Sequence, residues 1–214
     1  SCVFGPVPSR RLGRSLGIDI VPLKTCTFNC IYCQLGRTTH QTLDRKAYVP
    51  GRQVIEELEE KLSSLSPPPD YITFSGSGEP TLNSEMGWVI REINRLTKIP
   101  IAVLTNGSLL HLETVRNALQ YADLVIPTLD AASPQLFKFI NRPHHSLRFS
   151  QILGGLKDFR REFEGQVGPF QGDGGQGTLP VDLGFSLVTL LQGKVQGKIM
   201  VTKQDAQPDF QLAL

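Results

Sequence analysis

Three cysteines within eight residues constrain this chain more than any other feature of its sequence. They stand in the segment Cys26-Thr-Phe-Asn-Cys30-Ile-Tyr-Cys33, whereas the fourth cysteine, Cys2, stands alone. A secreted disulfide scaffold would distribute more cysteines over a shorter chain. Thiolates are soft ligands that suit iron–sulfur clusters, zinc and Cu(I). The segment is therefore predicted to bind a metal ion or a cluster in a reducing compartment.

Two kinds of metal site are open at this point. A structural zinc site takes four protein ligands, so Cys2 or His40 would have to complete it. A cluster of four irons held by three thiolates leaves one iron without a protein ligand. Such an iron can bind a chelating small molecule and pass it an electron.

Composition excludes several classes of protein. The 214 residues include 22 Lys plus Arg against 20 Asp plus Glu, a net charge of +2. This balance argues against a protein whose main role is to bind phosphate backbones. The sequence contains no apolar run near the ~18 residues that a membrane-spanning helix needs. Residues 1–14 do not resemble a secretory signal, and we expect a cytoplasmic protein without membrane contact.

Strand and helix patterns alternate over the first 164 residues, as they do in chains that build a parallel sheet. The predicted strands are residues 15–21, 71–75, 101–105 and 124–128. The predicted helices are residues 54–65, 84–97, 112–121, a helix that begins at Ser133-Pro134, and 150–163. In the second of these helices we expect Val89, Ile90, Ile93 and Leu96 to be buried. Polar loops follow the strands, and α/β folds place their sites at that edge.

The character of the sequence changes after residue 164. Residues 165–180 contain six glycines and show neither helical nor strand periodicity. Short strands are predicted at 187–191 and 198–202, with no clear helix between them. We therefore divide the chain into a core, residues 1–164, and a Gly-rich C-terminal segment, residues 165–214.

The spacing Cys-x3-Cys-x2-Cys, with Tyr32 directly before the last cysteine, resembles the signature of radical S-adenosylmethionine (radical SAM) enzymes. The resemblance implies that Cys26, Cys30 and Cys33 hold a [4Fe–4S] cluster. It implies that the fourth iron chelates the amino and carboxylate groups of S-adenosylmethionine, and that Tyr32 packs near the adenine. It also implies an α/β fold of the partial (β/α)6 barrel type.

A second motif follows the second predicted strand. The segment Gly76-Ser77-Gly78-Glu79-Pro80 resembles the Gly-Gly-Glu-Pro element of that family, which hydrogen-bonds the methionyl amino group, although Ser77 stands where a second glycine is common. Glycines allow a backbone to approach a ligand, and Glu79 offers an acceptor for an ammonium group. The resemblance thus assigns Gly76, Ser77, Gly78 and Glu79 to cofactor binding.

Two further turns stand where such enzymes contact the methionine and ribose portions of the cofactor. They are Thr105-Asn106-Gly107 after the third strand and Thr128-Leu129-Asp130 after the fourth. The resemblance implies that Asn106, Thr128 and Asp130 bind the cofactor. Ordinary turn chemistry and helix capping are the competing explanations for these residues.

Within the superfamily, residues 5–13, 74–81, 104–109 and 140–144 resemble a branch of iron–sulfur oxidoreductases grouped with wybutosine-type tRNA-modifying enzymes. No cysteine follows Cys33 in the sequence, so we expect a single cluster, which argues against a wybutosine-type activity. The resemblance covers about residues 4–164, whereas the family continues with two more strand–helix units. The barrel is therefore predicted to be truncated or altered after its fourth unit.

The resemblance implies an enzyme that cleaves S-adenosylmethionine reductively and generates a 5′-deoxyadenosyl radical for hydrogen abstraction. It implies a flavodoxin- or ferredoxin-type electron donor, and it leaves open whether the substrate is a small molecule or RNA. A non-catalytic zinc- or cluster-binding module, associated with RNA, is the alternative from a different class. A third hypothesis is a genuine core with an altered tail, which would bind a cluster without turnover.

Overall fold

The computed structural model describes residues 1–9, 12–163, 197–198 and 201–202. The strands are β1 (Val3–Ser9), β2 (Gly13–Ile18), β3 (Thr25–Cys26), β4 (His40–Gln41), β5 (Tyr71–Phe74), β6 (Ile101–Thr105), β7 (Leu124–Leu129), β8 (Gly197–Lys198) and β9 (Val201–Thr202). The helices are α1 (Gly51–Ser63), α2 (Met86–Leu96), α3 (Glu113–Leu119), α4 (Pro134–Ile140) and α5 (Phe149–Glu162), together with a 3-10 turn over Pro80–Leu82. None of these helices is long and apolar enough to cross a bilayer.

A parallel sheet forms the centre of the fold, as the alternation of strands and helices predicts. Strands β2, β5, β6 and β7 lie side by side in that order and run parallel. Strand β1 pairs antiparallel with β2, and the two-residue strands β8 and β9 pair antiparallel with β7. The strands of the described residues do not close into a barrel. The mixed α/β fold is confirmed, and a truncated six-unit barrel stays a prediction.

The central elements lie close to where hydrophobic periodicity places them. Strand β6 coincides with its predicted range, and the other three parallel strands begin or end within three residues of theirs. The Ser133 side chain caps α4 by accepting a hydrogen bond from the Leu136 amide at 3.3 Å, as the Ser-Pro pair predicts. Pro134 fits the first turn because that position needs no amide donor.

Burial along α2 differs from the prediction at one position. Val89, Ile90 and Ile93 are buried as expected, but Leu96 is 40% exposed. Leu96 is the last residue of the helix, and a residue in a terminal turn has neighbouring turns on one side only. The apolar periodicity of the sequence therefore extends to Leu96, although the protein core buries the helix only as far as Ile93.

Sequence patterns do not indicate the edge strand β1. It contains Pro6 and Pro8, which lack the amide hydrogen that an inner strand requires, and prolines are tolerated at a sheet edge. The single strand predicted at 198–202 overlaps two described two-residue strands, Gly197–Lys198 and Val201–Thr202. The strand predicted at 187–191 and the Gly-rich stretch 165–180 lie outside the described residues.

Two apolar clusters position the cysteine segment. The larger one lies against the sheet and includes Leu16, Ile18, Ile72, Phe74, Ile90 and Ile93, all fully buried. The smaller one joins the cysteine segment to α4 and α5 through Phe28, Phe137 and Ile152. The rings of Phe28 and Phe137 meet edge to face, with their centroids 5.3 Å apart. Phe28 lies between Cys26 and Cys30, so this contact holds the middle of the segment.

Substitutions on α2 test the register of its buried face. Ile93→Ala removes a fully buried side chain and should lower the free energy of unfolding by about 2–5 kcal/mol. Leu96→Ala is the matched control, because its exposed side chain should contribute less than ~1 kcal/mol. Urea unfolding of both variants measures the difference. Equal losses would contradict the observed end of the helix and support the sequence pattern instead.

Candidate functional site

The cysteine segment forms a loop between two short strands. Cys26 ends β3, which pairs in parallel with β4, so that Cys26 lies opposite Gln41. Inside the loop, the Cys33 amide donates to the Cys30 carbonyl at 3.2 Å, and the Gly36 amide donates to the Cys33 carbonyl at 2.9 Å. Cys26, Cys30 and Cys33 are free thiols, and all three are partly buried. We call residues 26–41 the cysteine loop.

The segment that follows α4 runs along one side of the cysteine loop. Four backbone hydrogen bonds join them: Asn29 N to Asn141 O at 3.0 Å and to Arg142 O at 3.2 Å, Ile31 N to Ile140 O at 2.9 Å, and His144 N to Thr27 O at 2.9 Å. Phe28 also forms a bridge with Pro143. Residues 140–144 therefore fix the backbone on which the three thiols stand.

The loop after β5 holds the other side. Ser77 accepts a hydrogen bond from the Lys24 amide at 2.7 Å, and the Glu79 amide donates to Thr25 O at 3.1 Å. Gly78 packs so closely on Thr25 that a Cβ atom would overlap the Thr25 carbonyl oxygen. The glycine is thus required by contact with the protein backbone directly before Cys26. A cofactor role for the loop stays a prediction.

Asp19 anchors the same loop from the end of β2. Its carboxylate accepts hydrogen bonds from the amide of Ser77, at 3.0 Å, and from the Ser77 hydroxyl. Gly76, with φ +144°, lies so close that a Cβ atom would overlap the Asp19 carboxyl group. Asp19 follows directly after strand β2, whereas the strand predicted over residues 15–21 placed it inside the strand, so the sequence did not identify it.

Glu79 is a buried carboxylate with four hydrogen-bond donors around it. They are Thr81 N at 3.1 Å, Thr81 Oγ1 at 2.6 Å, Thr105 Oγ1 at 2.6 Å and Asn106 N at 2.7 Å. Loss of solvation raises the pKa of Glu79 and outweighs these hydrogen bonds, which lower it. Its role as an acceptor for the methionyl amino group stays a prediction. In the structure it joins the ends of β5 and β6.

Asn106 connects Glu79 to the cysteine loop. Its backbone amide donates to Glu79, while its side-chain Nδ2 donates to Thr27 Oγ1 at 2.8 Å and to Cys26 Sγ at 3.5 Å. The Asn106 Oδ1 accepts from the Ser108 amide at 2.9 Å, as in an ordinary Asx turn. The turn chemistry is therefore observed, and the Asn106 side chain also contacts Cys26, whereas its assignment to the cofactor stays a prediction.

Asp130 and Tyr32 meet across the site. The Tyr32 hydroxyl donates to Asp130 Oδ2, which also accepts from Asn141 Nδ2 at 2.9 Å. Burial, followed by the bond to Asp130, raises the pKa of Tyr32, so the phenol stays a donor at neutral pH. Thr128 lies two residues earlier in β7, opposite Lys198. The structure thus brings Asp130 and Tyr32 together, and their assignment to ribose and adenine stays a prediction.

Burial controls the chemistry of two of the thiols. It is the main cause that raises the pKa of Cys26 to about 12, and the carboxylate of Glu79 adds to the effect. Burial also raises the pKa of Cys30, against the hydrogen bond from Asn141. Protonated thiols do not bind metals, so these residues become ligands only when a cationic group replaces their protons. Metal coordination deprotonates a thiol outright, and thiolates are soft donors of the kind that iron–sulfur clusters and zinc take.

Among the described residues, the three cysteines included, no group of three or more His, Cys, Asp or Glu side chains already stands in position to hold a metal ion. Cys2, which the zinc hypothesis would use, packs into the larger apolar cluster. His40 is exposed in β4.

Sequence reasoning missed Asn141 as a site residue. Its Nδ2 atom lies 3.5 Å from Cys30 Sγ, and its side chain is 2% exposed. The only available signal was the Asn-Arg-Pro motif to which it belongs. That motif follows a helix, and nothing in its composition indicates contact with a loop more than 100 residues earlier.

Comparison with known proteins gives a family match and several long relatives. Residues 20–168 match the radical SAM superfamily. The chain is 48% identical over 164 residues to the GTPase Obg of Brachyspira hyodysenteriae, covering 77% of this chain and 24% of that protein. It is 41% identical over 165 residues to a UPF0026 protein of Methanocaldococcus jannaschii, covering 77% of this chain and 51% of that protein.

A UPF0026 protein of Synechocystis is 43% identical over 167 residues, covering 77% of this chain and 62% of that protein. The chain thus spans between 24% and 62% of the length of these three relatives.

The contact between Gly78 and Thr25 can be tested by adding one methyl group. Gly78→Ala should lower the free energy of unfolding by about 1–3 kcal/mol, because the Cβ atom overlaps a backbone oxygen that cannot move freely. Gly154→Ala is the control, since open space surrounds that helical glycine and alanine should stabilise α5 by ~0.5–1 kcal/mol. Urea unfolding measures both. A Gly78→Ala variant as stable as the wild type would contradict the contact.

The raised pKa of Glu79 predicts a pH dependence. The folded protein binds this proton more tightly than the unfolded chain, so the buried carboxylate costs stability as the pH rises above its ordinary value of 4.5. Relative to Glu79→Gln, the wild type should therefore lose unfolding free energy with rising pH. Urea unfolding at several pH values above 4.5 measures this slope.

Glu57 provides a control of opposite sign. Its pKa is lowered to about 2, chiefly by the hydrogen bond from Gln53, so its ionised form stabilises the fold. The advantage of the wild type over Glu57→Gln should be present above pH 4.5 and disappear as the pH falls toward 2. A flat profile for Glu79→Gln beside the expected profile for Glu57→Gln would contradict the assignment for Glu79.

Proposed function

The chain belongs to the radical SAM superfamily, and from this premise we propose that it is an enzyme that cleaves S-adenosylmethionine reductively. Cys26, Cys30 and Cys33 would hold a [4Fe–4S] cluster with one iron open to the cofactor. When bound, the cluster supplies the electron that releases a 5′-deoxyadenosyl radical for hydrogen abstraction from the substrate. The observation that carries this proposal is the cysteine loop itself, held from two sides with its thiols partly buried.

The surrounding residues support a cofactor site at the carboxyl edge of the sheet. Asn106, Asp130 and the loop of residues 76–80 follow the parallel strands β6, β7 and β5. Asn106 contacts Cys26, Asp130 contacts Tyr32, and the loop contacts the two residues directly before Cys26. Glu79 would position Asn106 and offer an oxygen to the cofactor ammonium. Tyr32, whose ring is 44% exposed, would lie beside the adenine. These roles come from the family resemblance.

The finer parts of the proposal concern partners and substrate. We assign the reduction step to a flavodoxin- or ferredoxin-type donor, in the cytoplasm, where reduced thiols persist. The substrate is a small molecule or an RNA, and the near-neutral charge does not favour RNA. Placement of the chain in the wybutosine-associated branch rests on the sequence resemblance of residues 5–13, 74–81, 104–109 and 140–144. An oxidoreductase or lyase outcome remains part of the proposal.

Anaerobic reconstitution with iron and sulfide tests the cluster. The wild type should bind about four irons and four sulfides per chain, with thiolate-to-iron absorbance at roughly 400 nm. Cys26→Ala, Cys30→Ala and Cys33→Ala should each lose most of this absorbance, because each removes a ligand. Cys2→Ala is the matched control and should retain it, since Cys2 packs in the apolar cluster. Addition of S-adenosylmethionine and dithionite to the wild type should yield 5′-deoxyadenosine.

Two outcomes would overturn the proposal. One zinc per chain in place of iron and sulfide would favour the non-catalytic module. Full cluster content in all three cysteine variants would show that these cysteines are not the cluster ligands.

A further inference from the structure

Asn141 lies directly after α4 and uses both of its amide hydrogens. Its Nδ2 atom donates to Asp130 Oδ2 at 2.9 Å and to Cys30 Sγ at 3.5 Å. A carboxylate only accepts hydrogen bonds, so the nitrogen end of the amide must face Asp130. The Tyr32 hydroxyl donates to the same carboxylate oxygen and holds it in place. The orientation of the amide toward Cys30 is therefore fixed by its neighbours.

The other end of the Asn141 amide is unusual. Its Oδ1 atom is buried and has no hydrogen-bond partner among the described residues. Asn83, which is buried to the same degree, shows what a purely structural amide does: it donates to Ile20 O at 2.9 Å and Val49 O at 3.0 Å, and it accepts from Glu85 N at 2.9 Å. A buried acceptor without a donor is unfavourable for folding. The hydrogen bonds that Asn141 makes at this position therefore come from its NH2 group alone.

A second asparagine makes the same contact with a different thiol. Asn106 Nδ2 lies 3.5 Å from Cys26 Sγ, and its other hydrogen is used by Thr27 Oγ1 at 2.8 Å. Asn106 follows β6 and Asn141 follows α4, so the two amides come from separate parts of the chain. Each donates to one sulfur of the cysteine loop.

We propose that Asn141 is a positioning residue that, together with Asn106, sets the reduction potential of the bound cluster through N–H···S hydrogen bonds to Cys30 and Cys26. The inference rests on the proposed function, since it requires a cluster on these thiolates. Reduction adds negative charge to a cluster, and donors to its sulfurs stabilise the reduced form. Such outer contacts also orient the ligands of a metal group. Asn141 therefore raises the potential and holds Cys30 in place.

Asn141→Leu tests this, because leucine is similar in size and has no N–H group. The reconstituted variant should show a more negative midpoint in a redox titration followed by electron paramagnetic resonance. Asn141→Gln keeps an amide and should restore the potential in part. Asn94→Leu is the control and should not change it, since that amide donates to Tyr121 O on the surface.

The iron and sulfide content separates the two proposals. A wild type that binds no cluster would overturn the proposed function. A wild type and an Asn141→Leu variant with equal cluster content and equal midpoints would overturn the role of Asn141 alone.

If leucine prevents cluster assembly, a spectroscopic comparison replaces the titration. Wild type and Asn141→Gln are prepared with asparagine that carries 15N at the side-chain amide, and pulsed measurements on the reduced cluster record the nitrogen couplings. We expect two couplings in the wild type and one in the variant. Identical spectra would overturn the proposal.

Discussion

The buried carboxylate of Glu79 joins the strand ends on which the cysteine loop depends. It accepts hydrogen bonds from Thr105 and Asn106 at the end of β6, while its own amide donates to Thr25. Asn106 in turn reaches the sulfur of Cys26. Four donors from three residues converge on this one buried carboxyl group, so the contacts depend on one another. A shift of one strand end would move the loop, the turn and the thiol together.

The opposite side of the cysteine loop is held by a different kind of contact. Backbone hydrogen bonds to residues 140–144 and the packing of Phe28 on Phe137 fix it against α4. The thiols therefore stand between a polar anchor at the sheet edge and an apolar anchor at the helix. Asn141 belongs to the second anchor and reaches Cys30, as Asn106 belongs to the first and reaches Cys26. Burial from both sides raises the pKa of both thiols, so a metal group has to displace their protons in order to bind.

Much of the fold was predictable, because apolar periodicity indicates the strands and helices, and glycine, proline and capping residues indicate where they end. The four parallel strands and the Ser133 cap follow from local patterns. The turns after β5, β6 and β7 were expected to meet, since parallel strands end at one sheet edge, and their contacts do converge. Strand β1 was not predictable, because its two prolines argue against a strand in the sequence. It forms through antiparallel pairing with β2 at the edge of the sheet. The exposure of Leu96 was missed, because apolar periodicity does not show where a helix stops packing against the core.

The sequence by itself determined the chemistry: three thiols in one short loop, a glycine-rich turn with an acid after a strand, and a core that alternates strands and helices. These features depend on neighbours in the chain, which a pattern can describe. Only the tertiary structure decided which polar groups surround the thiols. Asp19 holds the Ser77 loop, Asn141 donates to Cys30, and Asp130 accepts from Tyr32. These partners are separated by 58, 111 and 98 residues, so their contact depends on packing that local sequence patterns do not specify.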